Sequence, residues 1–180
     1  MFFADAAILV EGVAESMLLP HFIRSKFPEL YQRYITILGV NGRHAHRLSP
    51  LIEKLCLPTL VITDLDPAEK EGYHKSVVPK RGEGQISGNY AIAKWLMKEK
   101  DIDKLVDYSE DKKEFSFASP YRFSIRLAYQ TPVKVDFEGE EKEAIPGTFE
   151  DCLIYTNYDL FKKIKVTDSG NLVEQTHDLL

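Results

Sequence analysis

Asp64 and Asp66 close the run Leu60-Val61-Ile62-Thr63-Asp64-Leu65-Asp66-Pro67, whose first residues favour an extended backbone. In a strand, side chains two apart point to the same side, so the two carboxylates project together. Like charges held side by side repel unless a cation lies between them. A pair that offers only oxygen suits Mg²⁺, Mn²⁺ or Ca²⁺. The carboxyl ends of strands are also where open α/β sheets bind ligands. An ordinary acidic turn after a strand carries the same letters, so the weight of the motif depends on what else converges there.

A second acidic pair stands upstream. Ala6 to Val10 is a continuous apolar run, as expected of a strand buried on both faces. Glu11 follows it directly and Gly12 is suited to the positive φ of a tight strand-to-helix turn. Glu15 falls in the first turn of the helix that begins near Ala14, where the dipole favours an anion. Capping explains Glu15 alone. It does not explain a charge at Glu11, so both acids are read as facing one crevice.

The remaining candidates are basic. Arg43-His44-Ala45-His46-Arg47 fills a loop after the second strand. His44 and His46 could ligate a metal, but the setting among arginines fits a phosphate-contacting patch better. The segment from Lys75 through Lys80 and Arg81 has two readings, solvated charge or contact with a nucleic-acid backbone.

The elements that must position these groups follow from periodicity. Ala14, Met17, Leu18 and Phe22 fall at helical spacing, with a kink or restart expected at Pro20. Arg33 to Leu38 reads as a strand, and Ser49-Pro50 as the N-cap and first residue of a helix to Cys56. The first third is therefore β-α-β-α-β, which implies a mainly parallel sheet with right-handed crossovers and helices on both faces. Residues 67–86 read as a long exposed loop and 87–98 as a helix. Asp101 to Tyr108 gives a short helix, Tyr121 to Ala128 an alternating strand, Val133 to Phe137 another, and Glu138 to Glu143 an acidic turn. Thr148 caps a helix from Phe149 to about Thr156. Residues 67–120 thus form a loop and helical insertion in a domain spanning residues 1–160, followed by a tail over 161–180.

The chain has 180 residues, 44% hydrophobic and 28% charged, enough for one domain with a real core. Its net charge of -5 gives no global sign of nucleic-acid binding, though a metal or a local basic rim can supply the attraction. Cys56 and Cys152 are read as buried thiols of a reducing, cytoplasmic compartment. No run is apolar enough to cross a membrane, and no secretory leader opens the chain. There is no Gly-x-x-x-x-Gly-Lys-[Ser/Thr] phosphate loop. A strand begins almost at once, so the chain reads as a fragment of something longer.

Ile8-Leu9-Val10-Glu11-Gly12 with Glu15, followed by Val61-Ile62-Thr63-Asp64-Leu65-Asp66, resembles the TOPRIM domain, a Rossmann-like metal-binding fold of primases, topoisomerases and nucleases. Tyr129-Gln130-Thr131-Pro132 and Thr148-Phe149-Glu150 make it most similar to the OLD (overcoming lysogenization defect) family of ATP-dependent endonucleases. The resemblance implies a DNA endonuclease in which Glu11, Glu15, Asp64 and Asp66 hold two Mg²⁺ or Mn²⁺ ions. Glu150 would be a further ligand, Asp151 a poorer substitute, and Ca²⁺ a non-productive occupant. Five carboxylates around two dications leave a nearly neutral centre that does not repel phosphate. Glu11 and Asp64 would share the ions, and a lysine, Lys162, Lys163 or Lys165, would steady the phosphate. Arg43, His44, Arg47, Lys80 and Arg81 would contact DNA. ATP would act only through an ATPase domain that this chain lacks, and the assembly allows a homodimer. Two rivals stand beside this. A glycosyltransferase reading of Asp64-x-Asp66 leaves the Glu11/Glu15 pair without a job. A non-catalytic TOPRIM module would serve docking or dimerisation. Clustered carboxylates should have raised pKa values through mutual repulsion, Asp64 and Glu11 most of all.

Overall fold

A computed structural model of the chain describes residues 3–40, 44–71, 75–118, 120–137 and 139–162. Its organising element is a five-stranded sheet in the order β2-β1-β3-β7-β6. Strands β1 (Ala6–Val10), β2 (Ile35–Gly39) and β3 (Thr59–Ile62) carry the apolar runs that mark buried parallel strands. β1 pairs in parallel with β2 and β3, and β3 with β7 (Phe123–Ala128). β6 (Glu114–Phe117), which the sequence reading missed, closes the far edge antiparallel to β7. The expected mainly parallel α/β sheet is present.

Successive residues of β1 point to opposite faces, and each face has its own cover. On one, Ile8 and Val10 pack with Ile23 of helix α1 (Val13–Lys26) and with Leu19 beside it. On the other, Leu9, Val61, Ile125 and Leu127 pack with Ile52 of α3 (Ser49–Leu55) and with Ile102, Leu105 and Val106 of α4 (Ile102–Asp107). Short α2 (Pro28–Tyr31) turns the chain from α1 into β2. α1 runs through Pro20 without a restart, and Pro20 lies on its solvent side. The inward face differs from the expected one: Leu19 and Ile23 point in, while Met17 is exposed.

Other boundaries moved for local reasons. Ser49 is the first helical residue of α3, φ -53°, so its hydroxyl makes no cap. Residues 67–86 are not a free loop: β4 (Pro67–Ala68) pairs antiparallel with β5 (Ile86–Ser87), and Ser76 bridges Ala68. The helix expected over 87–98 shrinks to β5 and a wide π-type turn, Ala91–Trp95. β8 (Val133–Phe137) is real. Part of the supposed acidic turn is its partner β9 (Glu140–Ala144), and the hairpin packs on α5 (Phe149–Thr156) and α6 (Tyr158–Phe161) through Val135, Phe137, Tyr155 and Tyr158. Cys56 and Cys152 are free and only half-buried. Lys113 is 1% exposed, its Nζ donating to Glu110 at 2.7 Å and lying 4.6 Å over the Tyr129 ring. Lys163, Lys165 and most of the expected tail fall outside the described residues. No described helix is long and apolar enough to cross a membrane.

Leu9 has no exposed surface and lies where β1 meets α3 and α4. Leu9→Ala should cost about 2–5 kcal/mol, read from the urea midpoint at unchanged slope.

Candidate metal centre at the strand ends

β1 and β3 are adjacent and parallel, so the residues that follow them emerge at the same end of the sheet. Glu11 follows β1; Thr63, Asp64 and Asp66 follow β3. Thr63 N–H donates to Ala128 O at 3.0 Å, which keeps the chain extended one step past β3. The Thr63 hydroxyl donates to Glu11 Oε1, tying the two strand ends together. Glu11 is 8% exposed, and burial, opposed by the bonds from Thr63 and Asn89, holds its carboxyl above the usual range.

Asp64 is gripped from the opposite side. Gln130, buried just after β7, donates from Nε2 to Asp64 Oδ1 at 2.6 Å, while its Oε1 accepts from Leu65 N at 2.8 Å. The first N–H of α5, on Phe149, donates to the same Asp64 oxygen at 3.0 Å. The sequence puts α5 there through a capping box: Thr148 accepts from Asp151 N, and Asp151 reaches back to the Thr148 N–H. Burial first, then the charges of Glu11, Asp66 and Glu15, push Asp64 up to about 7 despite the Gln130 bond. The expected rise at Asp64 and Glu11 is present, but withdrawal from water is the larger cause and mutual repulsion the lesser.

Asp66 sits at φ +46°, a left-handed backbone rare for a non-glycine residue. Gly88 N–H donates to its carbonyl at 2.8 Å and Asn89 to its carboxylate at 3.1 Å. Glu15 is 3% exposed on the first turn of α1. Its Oε2 is buried and meets no hydrogen-bond donor among the described residues. Gly12 does not use a positive φ; it stands at -113°. What it supplies is space, since a Cβ there would lie 2.5 Å from Glu15 Oε2.

Glu11, Asp64 and Asp66 are thus brought together, and Glu15 is close enough for its charge to act on Asp64. Glu150 is exposed on α5, one residue beyond the Phe149 N–H that holds Asp64, and Asp151 is spent on the capping box. No described contact joins the basic candidates to the acids. Arg43 and Lys163 lie outside the described residues. His44 and His46 are half-buried, and the His46 ring meets Tyr90 edge-on. Arg47 and Lys80 are exposed. Arg81 is engaged by Glu143 at 2.7 Å and Asp107 at 2.9 Å, and Lys162 pairs with Asp159. Sequence reasoning missed Asn89 altogether and gave Gln130 no role.

Among the described residues, no three His, Cys, Asp or Glu side chains are grouped so that they could hold an ion. Oxygens of Glu11, Asp64 and Asp66 instead accept from the Thr63 hydroxyl, the Asn89 and Gln130 side-chain amides and the Phe149 N–H. The chemistry of the donors nevertheless fits a hard dication: all are carboxylate oxygens, two of them on buried Glu11 and Glu15, and Glu15 Oε2 has no donor among the described residues.

A model of the family described as overcoming lysogenization defect protein-like, TOPRIM domain, matches residues 2–66, which contain Glu11, Glu15, Asp64 and Asp66. The resemblance read from those motifs is borne out. Endonuclease GajA of Bacillus cereus (strain HuB5-5) is 27% identical over 184 residues, covering 99% of this chain and 24% of its own length. The chain therefore spans about a quarter of that relative. No solved structure matches.

Between its ordinary value of 3.8 and about 7, folded Asp64 keeps a proton that the unfolded chain has released. Without divalent ions its contribution to stability should be greatest below about pH 4 and fall as pH rises to about 7. Asp64→Asn in EDTA should gain stability relative to the parent across that window, measured by urea denaturation at each pH. An unchanged difference from pH 4 to 7 would remove the shift.

Proposed function

We propose, from the premise that residues 2–66 form an OLD-like TOPRIM module, that this chain is a metal-dependent DNA endonuclease domain. The observation that carries the reading is the convergence of Glu11, Asp64 and Asp66 at the ends of two adjacent parallel strands, Asp64 held by the N-terminus of α5. The relative named an endonuclease points the same way. Residues 1–160 would form the working domain. Glu11, Glu15, Asp64 and Asp66 would hold Mg²⁺ or Mn²⁺, with Glu150 joining from α5. When bound, such ions activate a water and stabilise the leaving oxygen of a phosphodiester.

The chain's own work is to hold and to orient. Gln130 and the Phe149 N–H fix the Asp64 carboxylate from one side. Thr63 and Asn89 fix Glu11 from the other. Glu11 is buried and Asp64 half-buried, so a cation would attract them more strongly than it would in open water. Lys162 or Lys163 is the candidate to steady the phosphate; Lys162 would have to leave Asp159. His44, Arg47 and Lys80 are proposed as DNA contacts. Arg81, tied to Glu143 and Asp107, serves the fold first. ATP would act only through an ATPase domain outside this chain.

The test is plasmid cleavage in Mg²⁺ or Mn²⁺, by this chain and by the full-length protein side by side. Asp64→Ala and Glu11→Ala should each lower the rate on the order of 10²-fold or more. If both nick plasmid at the parental rate, the nuclease reading is wrong. Gly12→Ala should displace the Glu15 carboxylate and reduce the rise in melting temperature that Mn²⁺ produces, a rise worth about 2.7 kcal/mol at a hundredfold excess over Kd. Full stabilisation of Gly12→Ala by Mn²⁺ would take Glu15 out of the centre. A docking module that binds no cation would show no such rise in the parent.

A further inference from the structure

Asn89 has no exposed surface, lies outside the acidic motifs, and is the most connected side chain at the site. Its Nδ2 stands 2.8 Å from Glu11 Oε1, 2.8 Å from Thr63 Oγ1 and 3.1 Å from Asp66 Oδ2. The amide cannot be turned round. Its Oδ1 accepts from Ala91 N at 2.9 Å, and reversal would set oxygen against two carboxylates and hydrogens against an N–H. The backbone is anchored as firmly: Asn89 N donates to Ser87 Oγ at 3.1 Å and its carbonyl accepts from Ala93 N at 2.8 Å. The preceding Gly88 N–H holds the carbonyl of left-handed Asp66.

We propose that Asn89 is a positioning residue of the cation centre: its amide sets the spacing of Glu11 and Asp66, which leave different strands, and holds them ready for a shared dication. This rests on the reading of those two acids as cation ligands. The two Nδ2 hydrogens offset the repulsion between the carboxylates, and they engage only one oxygen of each. The segment that supplies Asn89, between β5 and the π-type turn, is thereby part of the centre although it carries no acid.

The experiment compares Mn²⁺ titrations of the parent, Asn89→Leu and Asp64→Ala by calorimetry, with cleavage kinetics alongside. Asn89→Leu keeps the volume and removes the donors. It should weaken Mn²⁺ binding about 10–100-fold and lower kcat, with KM for DNA within about twofold of the parent. A role confined to folding would instead lower the melting temperature in EDTA and leave Kd and kcat of the folded protein unchanged; that result overturns the proposal. A second measurement needs no variant: in the parent, Mg²⁺ should shift the Asn89 side-chain amide resonances saturably, with the midpoint seen in calorimetry. Resonances that stay still at saturating Mg²⁺ overturn it as well. Loss of Mn²⁺ binding in Asp64→Ala but not in Asn89→Leu defeats the Asn89 role and leaves the nuclease reading intact. A parent that binds no Mn²⁺ defeats the metal reading and the proposal with it.

Discussion

Carboxylates do not leave water without compensation, and that constraint shapes this molecule. Glu11 and Glu15 are buried at the end of the sheet, beside half-buried Asp64 and Asp66. Their neighbours are chosen accordingly: a hydroxyl from Thr63, amides from Asn89 and Gln130, and the first N–H of α5. These donors lower the cost of burial but do not cancel it, as the raised carboxyl groups of Glu11 and Asp64 show. What remains uncompensated is part of the cost of holding carboxylates out of water, and the fold as a whole sets it rather than any single side chain.

Much of the frame was legible because its signals are local. The apolar runs of β1 and β3 and the acids that end them are read directly, and so is the Thr148 cap that fixes where α5 begins. The errors share a cause. β9 is Glu-Glu-Lys-Glu-Ala, exposed until its last residue, so it looks like a solvated turn; only pairing with β8 makes it a strand. Ser49 resembles a cap, but a short 3₁₀ turn over Ala45–Leu48 runs into α3 and makes Ser49 helical. The inward face of α1 was misjudged because Met17 fits the helical period yet faces solvent.

Asn89 was illegible for a different reason. A lone asparagine between Gly88 and Tyr90 has no periodicity and no motif, and its importance arises only when β4 and β5 pair and bring it back over the strand ends. Gln130 lay in a segment quoted for resemblance, but nothing in the letters says that both ends of its amide are used. The family match over residues 2–66 contains the four acids and Thr63, while Asn89 and Gln130 lie beyond it.

That separation has a consequence for how the molecule comes into being. The bonds that build the centre span 52 residues from Thr63 to Glu11, 66 from Gln130 to Asp64, 78 from Asn89 to Glu11 and 85 from Phe149 to Asp64. Contacts so distant along the chain carry a loop-closure entropy that folding must offset before they form. A nascent chain that has reached Asp66 already contains four of the acids and neither Asn89 nor Gln130. A chain in which β7 and α5 have not yet joined carries the acids without Gln130 and the Phe149 N–H that hold Asp64.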